Sequence, residues 1–146
     1  MLETHSGGCL CGAVRYSTKG QPARSAVCHC RYCQLRTGTA FGISVYFSED
    51  QVTFNDGVSE TFSYETESGN TATLSRCANC GTTVSWRISI EALSDFVGIA
   101  GGTFDPPTFW YDLGREVFTR SKADFCQIAA PESFEDSPIY LSLIHI

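Results

Sequence analysis

Long apolar runs are missing from this chain, and so is any excess of positive charge. No stretch approaches the roughly 18 to 20 consecutive apolar residues that a membrane span needs, so no membrane partner is expected. Lysine and arginine number 10 against 16 acidic residues, a formal net charge of −6. Such a surface repels phosphate backbones, which argues against nucleic acid as a partner. The start, MLETHSGGC, lacks both the basic cluster and the apolar segment of a secretory signal, and the cytoplasm is the expected location. Repeats, low-complexity tracts and linkers are absent as well. Helical periodicity is almost absent: only SIEALSDF (89–96) reads as a brief helical turn, with Ser89 as its cap and Glu91 in its first turn.

What is present is a β pattern. Short runs rich in Val, Ile, Thr and aromatics recur at AVRYS (13–17), AFGISVYF (40–47), QVTF (51–54), ETFSY (60–64), ATLS (72–75), TTVSWRI (82–88), FVGIAG (96–101) and EVFTR (116–120). Turn residues separate them, as in FNDG (54–57) and ESGN (67–70). With 146 residues, 42% apolar and 18% charged, the chain suits one mainly β domain with a real core. Its last six residues, LSLIHI (141–146), match the in-frame translation of a transposon end used in sequencing libraries. They are set aside as a non-native tail, leaving a single domain over residues 1–140.

Eight cysteines are the strongest compositional signal, falling as Cys9/Cys11, Cys28/Cys30/Cys33, Cys77/Cys80 and a lone Cys126. In a reducing compartment such clusters point to metal rather than disulfides, and a C-x-C pair closes too small a ring for ordinary disulfide geometry. Zinc is therefore the expected ion. GGCLCG (7–12) supplies one glycine-flanked pair of sulfurs and the C-x-x-C of CANCG (77–81) a second, and two such pairs make a closed four-sulfur structural site. VCHCRYCQ (27–34) then retains three cysteines. Spacing alone does not say which pair joins which, and His29 or Cys126 are the available fourth ligands. His29 is expected to turn its ring away from the ion. Cys126 is expected to be a small buried apolar residue.

Three thiolates and one free position are how zinc is held when it must meet a substrate. So thiolate-rich an ion is a poor generator of hydroxide and a good host for another soft ligand, a substrate thiolate. The chemistry to expect is addition of sulfur to an electrophilic carbon, or its reversal.

These residues resemble a known family. GGCLCGAVRY, CHCRYCQLRTGTAFG, VTFNDG, YETESG, CANCGT and GTFDPP stand in the order found in the glutathione-dependent formaldehyde-activating enzymes, a family that includes centromere protein V. The likeness runs from about Gly7 to Pro106 and more loosely to Ile128. It implies a zinc-bearing β-tent fold of several small sheets. It also implies a structural zinc on Cys9, Cys11, Cys77 and Cys80, and a catalytic zinc on Cys28, Cys30 and Cys33. The reaction it implies is carbon–sulfur lyase chemistry, forming S-(hydroxymethyl)glutathione from glutathione and formaldehyde. Relatives often carry an aromatic residue where this chain has Arg76, and Trp where it has Phe125; both differences bear on the thiol pocket.

A glutathione-like substrate carries carboxylates, which arginine binds bidentately. Arg31, Arg36 and Arg76 flank the cysteine clusters and are the candidate substrate-binding cations. His29 and Glu49 are the nearest candidates for a general base. The leading reading is a zinc-dependent carbon–sulfur lyase for a thiol–aldehyde adduct; the alternative is a non-catalytic zinc-stabilised binding or chaperone-like module of the same fold. Methionine-sulfoxide reduction would need a nucleophilic cysteine outside the metal sites, and only Cys126 offers one. Oligomeric state leaves no mark on the sequence.

Overall fold

The computed structural model describes residues 2–137, so the tail at 141–146 lies outside the described residues. The strands are β1 (Thr4–Gly8), β2 (Arg15–Lys19), β3 (Arg24–Cys28), β4 (Gly42–Ser48), β5 (Val52–Phe54) and β6 (Ser59–Glu65). After them come β7 (Thr71–Cys77), β8 (Thr83–Ile88), β9 (Phe96–Ala100), β10 (Arg115–Val117) and β11 (Glu132–Ser133). They form a small antiparallel sheet in the order β1-β2-β5, and a larger one in the order β11-β10-β3-β4-β9-β8-β7-β6. The fold is thus mainly β, as the composition implies. No helix among the described residues is long and apolar enough to cross a membrane.

Period-two alternation gives the large sheet two different faces. On one face Val45 of β4 sits opposite Ile99 of β9, and Phe47 opposite Val97. These four pack with Val14, Tyr16, Val84, Phe104, Cys9 and Cys77 into the main core. The alternate residues, Ser44 and Tyr46 on β4 with Ala26 and Cys28 on β3, face away from that core and line a cleft. Asn55 and Gly69 confirm the predicted turns. Asn55 Oδ1 accepts from Arg15 N–H and its Nδ2 donates to Ala13 O, tying β5 to the start of β2. Gly69, at φ +83°, closes the β6–β7 hairpin.

Three local expectations need correction. The turn at 89–96 is a short 3₁₀ segment, Glu91–Leu93, and Ser89 does not cap it; its Oγ accepts from Thr71 N–H and so extends the sheet edge. A true helix, α1 (Arg31–Thr37), forms where none is predicted. It buries no residue fully, so it has no apolar stripe to betray it; its ends specify it instead. Cys30 Sγ accepts from Cys33 N–H at the N-terminus, and Gly38, at φ +69°, returns its N–H to Gln34 O. Strands β1 and β3 also escape the sequence reading, because THSGG is polar and RSAVC is short and opens on a charge.

Candidate functional site: two cysteine clusters and a cationic cleft

The turn between β1 and β2 carries Cys9 and Cys11, Cys77 ends β7, and Cys80 follows in the next turn. Their four Sγ atoms lie within 4.8 Å of one another. Cys9 and Cys11 sulfurs are 3.6 Å apart, Cys11 and Cys77 sulfurs 3.7 Å. A tetrahedral ion with Zn–S near 2.3 Å sets its sulfurs about 3.8 Å apart, so the cluster fits zinc. Backbone N–H groups supply the negative-charge support a thiolate needs: Val14 to Cys9 at 3.2 Å, Asn79 and Cys80 to Cys77 at 3.4 and 3.5 Å. The hydroxyl of Thr82, 3.2 Å from Cys80 Sγ, leads the groups that bring the Cys80 thiol down to about 5. Since β1 and β2 belong to the small sheet and β7 to the large one, this cluster joins the two.

Cys28, Cys30 and Cys33 form the second cluster, again with all sulfurs within 4.8 Å. Among the described residues no fourth His, Cys, Asp or Glu joins them. Hydrogen bonds from Cys28 and Cys33 bring the Cys30 thiol down to about 3. Those to Cys30 and Cys33, with burial, push Cys28 up. One thiolate thus holds its neighbours protonated, and all three ionise together only around a cation. The soft three-sulfur set fits zinc or a metal of similar softness.

His29 is wholly buried but takes no part in the cluster. Its position between Cys28, the last residue of β3, and Cys30, the N-cap of α1, turns it to the other side, where Nε2 meets Glu116 Oε2 at 2.8 Å. Glu116 also binds Lys122 Nζ at 2.9 Å and accepts from Ser133 Oγ at 3.1 Å. Burial alone would raise the Glu116 carboxyl, but the Lys122, His29 and Ser133 donors outweigh it and hold the group below its ordinary range. A depressed folded value contributes stability that is present above the unfolded carboxylate range and lost as pH falls through the folded one. Glu116→Gln is therefore expected to cost about 3 kcal/mol near neutral pH, with the deficit shrinking on acidification. Urea unfolding at pH 7 and at pH 4 checks this; an equal deficit at both would refute it.

The cleft beside the second cluster is lined by all three of its cysteines, by Arg24, Arg36 and Arg115, and by Trp86. Arg36 lies over the Trp86 ring at 4.3 Å, a cation–π contact. Trp86 Nε1 donates to Tyr46 Oη at 3.1 Å, and the ring lies flat over Gly98 of β9. A Cβ at 98 would stand 2.2 Å from Trp86 Nε1, with Cε2 and Cδ1 of the same ring at 2.6 and 2.8 Å. Gly98→Ala is expected to displace the ring and cost about 1–3 kcal/mol by overpacking, read as a lower urea midpoint and altered tryptophan emission. Tyr32 of α1 stacks on Tyr64 of β6 at 4.8 Å and closes the wall opposite.

The predicted cations separate. Arg36 reaches the cleft, whereas Arg31 is exposed on α1 and Arg76 pairs with Glu60 at 3.5 Å on an exposed stretch of β7. Arg24 and Arg115 line the cleft unforeseen. The missed signal is simple: counting back by twos from Cys28 along a strand puts Ala26 and Arg24 on the cysteine's face. Glu49 pairs with Arg87 at 2.6 Å and follows the end of β4 remote from Gly42, the partner of Cys28, so it offers no base there. Phe125 is 82% exposed and away from the cleft. Cys126 is half-buried, not buried, and outside both clusters.

Residues 4–121 match the family model described as glutathione-dependent formaldehyde-activating enzyme. No curated protein matches the chain. A crystal structure of a Rhodobacter sphaeroides protein is similar at a TM-score of 0.51 and 17% identity, covering 69% of this chain and 88% of that one. That likeness is one of fold.

Proposed function

The chain belongs to the glutathione-dependent formaldehyde-activating enzyme family, and from that premise we propose that it is a zinc-dependent carbon–sulfur lyase, forming or cleaving a thiol–aldehyde adduct such as S-(hydroxymethyl)glutathione. The observation that carries this reading is the three-sulfur cluster of Cys28, Cys30 and Cys33, which opens on a cleft and has no fourth protein ligand among the described residues. In this reading the chain holds two zinc ions, one in each cysteine cluster, and only the second takes part in the reaction.

Bound there, zinc supplies a fourth position that keeps a substrate thiol as thiolate at neutral pH. The chain's own part is to aim and enclose. Cys28 is fixed by β3, and Cys30 and Cys33 by the first turn of α1, so the three sulfurs are set by backbone rather than by flexible side chains. Trp86, Tyr32 and Tyr64 wall the cleft and limit water around the reacting sulfur. In the forming direction the thiol gives its proton to water, a sulfur lone pair attacks the aldehyde carbon, the C=O π pair moves to oxygen, and that oxygen takes a proton back from water. Cleavage returns the proton to water and the C–S pair to sulfur. His29, engaged with Glu116, and Glu49, engaged with Arg87, serve neither step.

Two-dimensional exchange NMR on glutathione mixed with formaldehyde tests the proposal. Catalytic amounts of the zinc-loaded protein are expected to speed exchange between free glutathione and its hydroxymethyl adduct. Exchange at the spontaneous rate would refute glutathione–formaldehyde chemistry for this chain.

A further inference from the structure

His29 separates two members of the three-cysteine cluster, gives no ligand atom to it, and is wholly buried. Its surroundings are built to hold it. Nε2 meets Glu116 Oε2 at 2.8 Å, and Glu116, itself buried, is fixed in turn by Lys122 Nζ and Ser133 Oγ. Those donors keep the carboxylate ionised, and a carboxylate only accepts, so Nε2 carries the proton. Nδ1 is buried with no partner among the described residues, which leaves Glu116 as the ring's hydrogen-bond anchor. Phe41, just before Gly42 of β4, stands edge-on to the ring at 5.7 Å.

The main chain of His29 is tied to the same strand. Its N–H donates to Val117 O at 3.1 Å, so backbone and side chain are fastened to consecutive residues of β10, the side chain across 87 residues of sequence. That strand is itself held on both sides: Val117 pairs across from Cys28, and Phe134 N–H donates to Glu116 O at 2.9 Å. One residue alone lies between Cys28 and Cys30, so its φ and ψ set how the second sulfur stands to the first. Rotation there would swing the imidazole off Glu116 and leave a buried carboxylate short of a donor, which is costly. The spacing of the two sulfurs is therefore coupled to the His29–Glu116 hydrogen bond.

We infer that His29 is a positioning residue for the three-cysteine cluster: anchored on Glu116, it holds Cys28 and Cys30 in ligating register from the side away from the cleft. This rests on the reading above that the cluster holds zinc, and it stands apart from which substrate the ion meets. Groups that orient metal ligands without touching the metal typically change its affinity about 10–100-fold when removed.

Competition titration of zinc against a chromophoric chelator gives an affinity for each cluster, and the Cys30→Ser protein identifies the constant that belongs to the other one. His29→Gln extends an N–H to about the reach of Nε2; His29→Asn, one methylene shorter, does not. The glutamine variant is expected to keep the affinity of the three-cysteine cluster within about threefold, and the asparagine variant to lose at least about tenfold. Both are expected to leave the four-cysteine cluster unchanged, which a general loss of stability would not do. Equal affinities in wild type, Gln and Asn proteins overturn the inference, and so does equal weakening of both clusters by asparagine. Linkage supplies a test in the wild type that needs no variant to fold: if the hydrogen bond favours the ion, the ion must favour the hydrogen bond. Loading the second zinc equivalent is expected to slow solvent exchange of the His29 Nε2 proton, read by NMR, and unchanged exchange also refutes the role. A wild type that takes up a single zinc equivalent overturns the two-zinc reading together with this one. Two equivalents with affinities indifferent to His29 overturn this one alone.

Discussion

Replacing Cys30 by serine is expected to remove one zinc equivalent, reduce catalysed glutathione–formaldehyde exchange to the spontaneous rate, and leave the fold intact. The activity loss follows because two thiolates do not hold the ion in the three-sulfur geometry that the proposed chemistry uses. The fold survives for two local reasons. Cys28, Cys30 and Cys33 close only a short loop at the junction of β3 and α1, so the ion there removes little chain entropy. Serine is also a favoured N-cap, so its hydroxyl can accept the Cys33 N–H that Cys30 Sγ now accepts. Metal analysis, circular dichroism and exchange NMR on the one variant read all three. A variant that keeps two zinc ions, or that loses all structure, contradicts this division of labour.

Replacing Cys77 by serine is expected to do the opposite and unfold the chain. Cys77 is 2% exposed, sits within the main core, and shares its sulfur cluster with residues from the other sheet. Structural zinc sites contribute on the order of 10–16 kcal/mol to folding, against a total stability of roughly 5–15 kcal/mol for a typical domain. Losing the site therefore consumes the whole margin. Circular dichroism on the purified variant, and a strong chelator applied to the wild type, should both report loss of β structure. A Cys77→Ser protein with the wild-type unfolding midpoint would show that the two sheets need no metal between them.

The contrast between these two variants rests on how far apart in sequence the ligands lie, and that separation also governed what could be read from sequence. Spacings such as C-x-C and C-x-x-C are local, and a turn of two or three residues brings such sulfurs together whatever the rest of the chain does. The hairpin of β6 and β7 was legible for the same reason, its turn chemistry being contained in ESGN. Helix α1 was not, because its stability comes from a thiol cap, a left-handed glycine and contact with the sheet rather than from an apolar stripe. Arg31 and Arg76 adjoin cysteines in sequence, but adjacent residues on a strand face opposite ways, and adjacent residues on a helix stand about 100° apart.

By itself, then, the sequence determined a mainly β chain, seven cysteines clustered for metal, the family, and the soft-ligand chemistry that three thiolates permit. Each follows from composition or from neighbours a few residues apart. Tertiary structure decided that Cys9 and Cys11 meet Cys77 and Cys80 across 66 and more residues, and that Trp86 is laid over Gly98 beside Arg36. It decided, too, that Arg24 and Arg115 stand on the cysteine face of the sheet, each with a buried nitrogen that has no hydrogen-bond partner among the described residues. These arrangements depend on which strands pair and in what register. Strand pairing is set by burial of one whole sheet face against a distant partner, and no short window of sequence contains that information.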